Sequence, residues 1–356
     1  SASDVDAITI ASNGQVTLTQ TLIGTALDIS GDIDVDGTTN LDAVDVDGAA
    51  NFAADVTFAV GADIITASGG TGNLRLGEDA GDAVTGNFNV LVGKDSGTAL
   101  EGGAGNVGLG YRTLYTSVAG DYNTAIGREA LLTSNVSGNN YNTAVGAFAG
   151  KLVTTGVDNT IIGGLAGDAI TTGGNNTVLG KQALSADTKG GTAVAIGQLA
   201  LGAQNFTSAT DNYNVAVGYS AGVGITTGVQ NTIIGGLAGD ALTDADKNVA
   251  VGRSALTSDT LGSMSTAIGY SALDNQNFTS ATNSRNTAVG HTAGLEGTTA
   301  VDNTLIGEQA GYYITTGSKN TILGRHTGNA GGVDIRTASN NIVLSDGDGN
   351  PRLAYV

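Results

Sequence analysis

Asn142-Thr143-Ala144-Val145-Gly146 and, one interval on, Asn159-Thr160-Ile161-Ile162-Gly163 are two copies of a pentad that occurs sixteen times in this chain. The closing glycines run from Gly77 to Gly324, and the sixteenth copy, Asn341–Ser345, ends in serine. The interval between copies is 17 in most cases, with one of 16, one of 19 and three of 21. So regular a period predicts a solenoid, in which each repeat buries its apolar surface against its neighbours. The columns of the repeat carry the argument. The residue before the glycine is always Val, Ile or Leu, and two residues earlier stands Thr, Val or Ile in all copies but one (Leu74). Two apart, these columns share one face of a strand, and their β-branched shapes suit a pleated surface. The column between them is mostly small, with Ala the commonest residue, and is sometimes large (Ile161, Ile233, Ile322), so the second face is at least partly covered as well.

Asn opens fourteen of the sixteen copies. Stacked rungs lie about 4.8 Å apart, which places equivalent amides within hydrogen-bonding reach of each other in a ladder. The glycine supplies the positive φ of a sharp corner. Three residues after most glycines comes Ala (Ala130, Ala149, Ala166, Ala183), as a crowded inner edge requires, and then Leu or Gly.

The composition fits a slim core. Among 356 residues there are 57 Gly, one Pro, no Trp and no Cys, and aromatics are 4%. Without cysteine no disulfide framework exists, so stability must come from stacking or from other chains. The formal charge is −19, with 14 Lys and Arg against 33 acids. That balance opposes a nucleic-acid partner, which needs cations to neutralise phosphates. No apolar run of about 18 residues is present, so membrane insertion is not expected. No basic-then-apolar leader is visible, and a chain that opens on Ser1 reads as a processed product or a fragment.

The chain divides into four stretches. Residues 1–25 alternate loosely around Asn13-Gly14 and read as short strands. Residues 26–70 form an Asp-rich β lead-in, in which Asp32-Ile33-Asp34-Val35-Asp36-Gly37 alternates acid with aliphatic. A calcium loop of the EF-hand type would need Glu at its twelfth position, where Ala43 stands, so this weave reads as a solvated strand face. Residues 71–345 are the solenoid. Within it Asn159–Ala169 repeats at Asn231–Ala241, and Gln204–Thr210 repeats at Gln276–Thr282, each with an offset of 72. A block of four coils has therefore been duplicated, three of length 17 and one of length 21. The extra residues fall in 201–213 and 273–285, where insertions in a solenoid form lateral loops. Asn205, Phe206, Asn277 and Phe278 are the candidate receptor-contact residues on these loops; the competing reading tucks each phenyl over the neighbouring coil. Residues 346–356 close the chain as a hairpin or cap, with turn chemistry at Asp346–Pro351 between two apolar runs, or link it to a further domain.

No catalytic constellation is present. His291 and His326 follow corner glycines by one and two residues and read as exposed corner residues. Every Gly-x-Gly belongs to the repeat and marks no phosphate loop. No cofactor or metal site is expected, and the reading is of a protein that is not an enzyme.

The pattern N-T-A-[VI]-G-x-x-A-[GL], with Ile-Thr-Thr-Gly in the return segment (Ile170–Gly173, Ile314–Gly317), resembles the repeats of phage tail fibre proteins. It is also similar to the head repeats of trimeric autotransporter adhesins, whose coils are shorter than these. The resemblance covers 71–345, and Leu27–Asp42 and Asn340–Leu353 look like tail-fibre sequence too. It implies an all-β parallel β-roll of about sixteen coils, intertwined or side by side in a homotrimer. It further implies an extracellular virion protein: a stiff shaft that touches neighbouring tail proteins and a host-surface glycan or protein, with a C-terminal self-cleaving chaperone removed. A bacterial surface adhesin head is the alternative. An ice-binding array fits less well, because its Thr column is broken by Val194, Val215 and Val249 and has no second Thr beside it.

Overall fold

The computed structural model describes residues 8–10, 16–18 and 69–356. The chain forms two units, 1–62 and 63–356. In the first, strands Ile8–Ile10 and Val16–Leu18 pair antiparallel. The rest of the expected Asp-rich lead-in, 26–68, lies outside the described residues.

The second unit is a parallel β-solenoid, and no α-helix occurs among the described residues. Each pentad forms one three-residue strand, from Leu74–Leu76 through Thr143–Val145 and Thr160–Ile162 to Thr321–Leu323, and the sixteenth is Ile342–Ser345. Neighbouring strands pair in parallel without slippage: Thr143 opposes Thr160, which opposes Thr177, which opposes Val194. The final strand, Pro351–Tyr355, turns back antiparallel on Ile342–Ser345 and covers the last edge of the ladder. Among the described strands no pairing joins the two ends, so the sheet is an open ladder, not a closed barrel.

The middle residue of each strand points into the solenoid. Ala144, Ile161, Val178, Ala195, Ala216 and Ile233 are fully buried. The flanking Thr and Val/Ile/Leu columns point outward and are half-buried or exposed. The first rung carries Arg75 in the inward column, where its Nε donates to the Ala80 carbonyl at 2.6 Å.

The Asn column is the polar seam, and its bonds run mainly to backbone. Asn159 Nδ2 donates to the Gly173 carbonyl at 3.0 Å, across the coil, and its Oδ1 accepts the Asn176 backbone N–H at 3.1 Å. The same pair of bonds recurs at Asn142, Asn231 and Asn303. Direct amide-to-amide contacts exist on some rungs, such as Asn159 to Asn142 at 3.1 Å. These side chains satisfy buried backbone groups that a three-residue strand leaves unpaired, which is why they are asparagine and why they are buried.

After the strand comes the corner. Gly146 has φ +135°, and a Cβ there would lie 2.6 Å from the Gly163 carbonyl of the next rung. Both the dihedral and the rung-to-rung approach therefore require glycine. Successive turns follow: Ala149 N–H to Gly146, Lys151 N–H to Phe148, Val153 N–H to Gly150. A 17-residue coil has the length for two strands, but the Ile-Thr-Thr-Gly segments form none. Instead the Thr171 carbonyl alone receives the Thr154, Thr155 and Gly156 amides of the preceding rung. Second strands, two residues long, appear only beside the long coils, as at Gly190–Gly191 with Thr210–Asp211 and Gly262–Ser263 with Thr282–Asn283.

The 72-residue block has a packing origin. The fourth residue after the corner alternates in pairs between Gly and Leu, and the seventh alternates with it. Rungs with Gly150, Gly167, Gly222 and Gly239 carry Val153, Ile170, Ile225 and Leu242. Rungs with Leu184, Leu201, Leu256 and Leu273 carry Asp187, Gln204, Asp259 and Gln276. A Cβ on Gly167 would meet Ile170 Cδ1 at 2.8 Å, so the two positions fill the same core volume. In the rungs from Gly77 to Gly269 one large apolar side chain occupies it, at one position or the other, whereas the rung with Gly294 and Gly297 has neither.

Candidate functional site

Two outer features of the solenoid could meet a partner: the outward face of the sheet, and the side that carries the long coils.

On the sheet face, alternate residues of each rung point out, as at Tyr141, Thr143, Val145 and Ala147. The aliphatic column before the corner stays open to solvent along the whole ladder, its exposed members ranging from 37% for Ile268 and Leu344 to 52% for Leu323. Leu76, Leu109, Leu179, Ile234 and Ile306 belong to the same stripe. Aromatic residues flank it. Phe88, Tyr122, Tyr141 and Tyr213 are exposed on the side preceding the Asn column, and Tyr219 and Tyr270 beyond the corner. Some stack rung on rung: Tyr122 on Tyr141, and Tyr270 on His291, each at 5.3 Å between ring centroids. Single exposed apolar residues are ordinary on a protein surface; a continuous stripe of them is not.

On the other side, the long coils are held by a buried carboxylate. Asp187 Oδ1 accepts the Gly190 N–H at 2.9 Å and the Phe206 N–H at 3.2 Å, and Oδ2 accepts from Gln204 Nε2 at 2.6 Å. Gln204 Oε1 in turn accepts from Asn214 Nδ2 at 2.9 Å. The duplicate site repeats this with Asp259, Gly262, Phe278, Gln276 and Asn286. Burial pushes the Asp259 carboxyl above its ordinary range, partly offset by the Gln276, Phe278, Gly262 and Thr260 hydrogen bonds. These two networks replace the Asn seam where it lapses, at Ala193 and Ser265. Their hydrogen bonds are spent on the fold.

The candidate contact residues divide. Phe206 and Phe278 are 6% exposed, and each ring packs on the glycine of the coil below, Gly190 or Gly262. The rings are anchors of the loops, and only Asn205 and Asn277 stand at the surface. Both asparagines occupy a column otherwise rich in threonine, and the Thr188 hydroxyl donates to Asn205 Oδ1 at 3.0 Å. The histidines divide too. His291 is exposed, but His326, expected at the surface, is fully buried. Ser220, Ser271 and Thr292, also two residues after a corner, are buried too, although Phe148, Leu165 and Gln182 there are half-buried, and the C-terminal hairpin packs nearby: Ser345 Oγ accepts the His326 N–H at 2.9 Å. Neither ring nitrogen has a hydrogen-bond partner.

Among the described residues no three His, Asp or Glu side chains gather to hold a metal ion, and no helix is long and apolar enough to cross a membrane. The Asp32–Gly37 weave lies outside the described residues. A sequence comparison with known proteins finds no matching family model, no matching curated protein and no matching solved structure.

Proposed function

We propose that this chain is a structural segment of a phage tail fibre, three copies of which stand parallel and share their sheet faces along one axis. The observation that carries the reading is the aliphatic stripe, half-open on every part of the ladder from Leu76 to Leu344. A closed cyclic assembly buries such a stripe on every subunit at once and leaves no free copy of it. Sixteen rungs at about 4.8 Å make a shaft of roughly 75 Å. Its rigidity follows from the backbone: rung-to-rung hydrogen bonds on all sides leave no hinge between coils. The resemblance of the pentad to tail-fibre repeats supplies the number three, the virion setting and the partners, namely neighbouring tail proteins and a host-surface glycan or protein. The role is mechanical, not enzymatic: a spacer that holds contact loops or a tip at a distance. Sedimentation velocity tests it. The expected species has three times the mass of the 35.0 kDa chain; a stable monomer at micromolar concentration removes the proposal.

A further inference from the structure

The third four-coil block departs from the first two where stacking does not demand it. Asn159–Gly173 and Asn231–Ala245 carry Asp168-Ala169 and Asp240-Ala241; the corresponding stretch Asn303–Gly317 carries Tyr312-Tyr313. One coil earlier, Leu152 and Gly224 give way to Glu296. One coil later, an antiparallel pair, Asn329–Ala330 with Val333–Asp334, is inserted and leads into Arg336. These departures converge. Glu296, Tyr313, Thr315, Asp334, Arg336 and Thr337 line one open groove of about 600 Å³.

The groove is held in shape. Tyr312 packs edge-on against Tyr313 at 4.7 Å, and Tyr313 remains half-exposed. The Thr315 amide donates to the Arg336 carbonyl at 2.9 Å, and Ile335 between the two charged residues is fully buried. Arg336 grips Asp334 with both sides of its fork, Nε to Oδ1 at 3.0 Å and Nη2 to Oδ2 at 2.8 Å. That grip holds the Asp334 carboxyl below its usual range, so it stays an ionised acceptor. Glu296 accepts from Asn275 Nδ2 at 3.4 Å.

We propose that this groove is a carbohydrate subsite for an uncharged hexose or N-acetylhexosamine unit. An exposed ring fixed by a neighbour offers a platform for the apolar face of a pyranose. Carboxylates and a guanidinium around it give charge-assisted hydrogen bonds to sugar hydroxyls. The volume lies within the range of small-molecule pockets, and its open rim suits one unit of a longer chain. Two acids against one Arg, in a chain of net charge −19, disfavour sialic or uronic acids. The proposal rests on the attachment role given above, and three copies in a trimer would convert a weak single contact into avidity.

The test uses the full chain on an array of neutral glucose-, galactose-, mannose- and N-acetylglucosamine-terminated oligosaccharides, beside sialylated and uronate-terminated ones. Retention on neutral glycans is expected. Tyr313→Ala and Arg336→Gln, both at exposed positions, should each weaken it roughly tenfold, with Thr155→Ala, exposed on the return segment of an earlier coil, as an unaffected control. No retention on neutral glycans, stronger retention on acidic ones, or binding that survives Tyr313→Ala overturns the proposal. Sedimentation of the same samples separates the two readings. A trimer that ignores neutral glycans loses only the groove; a monomer with Tyr313-dependent binding loses only the shaft.

Discussion

At the scale of single residues, the fold is set by positions where no side chain fits. The corner column was legible because glycine recurring at a fixed interval marks a backbone site closed to side chains. A second set of left-handed positions was not legible. Two residues after the corner, Asp95, Glu129, Phe148, Leu165, Gln182 and Ser220 all hold φ between 52° and 63°. Nothing unites these residue types, since the rung-to-rung hydrogen bonds on both sides, not the side chain, impose the dihedral; Phe148 N–H bonds back to Arg128 and Gly150 N–H forward to Ala166. Local compensation was equally hidden: Gly108 replaces the inward Ala because a Cβ there would press on Ser96 Oγ at 2.6 Å and Thr113 Oγ1 at 2.8 Å. Two substitutions separate stacking from mere loop flexibility. In Gly235→Ala the new Cβ would sit 2.4 Å from the Gly252 carbonyl at φ +138°. A loss of roughly 3 kcal/mol or more is expected in chemical denaturation. Gly102→Ala has open space around it and no positive φ, and should stay within about 0.5 kcal/mol of the parent. Equal effects would mean that the rungs do not approach as closely as described.

At the scale of the coil, the 72-residue period was readable as a duplication but its cause was not. The Gly/Leu column and the column three residues later each look irregular alone; only together do they keep the volume filled on the rungs from Gly77 to Gly269. Asp187 shows what the polar phase achieves. It gathers the amides of Gly190 and Phe206 with the Gln204 side chain, and thereby ties the long coil down. Asp187→Ala leaves these buried donors without an acceptor, and a loss of about 3–5 kcal/mol is expected. Limited proteolysis should then cut within 205–211 first; cleavage elsewhere would deny the anchor role. The C-terminal hairpin offers a pH test. Burial lowers the His326 pKa, opposed in part by the nearby Gly349 backbone. The folded end binds fewer protons than the opened one, so its stability falls as pH drops below about 6.5. Asp346, held low by its hydrogen bonds to Asn350 and Arg352, contributes stability that is lost only as pH falls below the ordinary carboxylate range, so the windows do not overlap. Amide protection factors over Ile342–Ser345, corrected for the intrinsic exchange rate at each pH, should fall between about pH 7 and pH 5 in the parent, and far less in His326→Leu. A parallel fall in both would assign the effect to another group.

At the scale of the molecule, the outward face decides between a lone solenoid and a shared one. The alternation of the pentad already put Thr and Val/Ile/Leu on one side and the Ala, Ile and Val of the middle column on the other, and that middle column is what fills the interior. What alternation could not tell was which side faces in, since by hydropathy alone the aliphatic column is the better core. The structure resolves it: the middle column faces in, with Ala on some rungs and Leu91, Ile161, Ile233 or Ile322 on others, and the Val/Ile/Leu column before the corner faces out. A lone solenoid would hold that stripe against water over the full ladder, which is costly per rung and repeated sixteen times. Ile234, Ile268 and Ile306 lie on this stripe at 37–39% exposure, away from the core. Changing all three to Glu should leave the far-UV circular dichroism intact, because none packs inside the coil. In a trimer the same change places nine carboxylates in one apolar seam, on chains that already carry −19 each, and removing charges from water without partners costs several kcal/mol apiece. The triple variant should therefore sediment as a folded monomer where the parent sediments as a trimer. If the variant keeps the parent's mass, the stripe is not the seam, whatever the parent's oligomeric state.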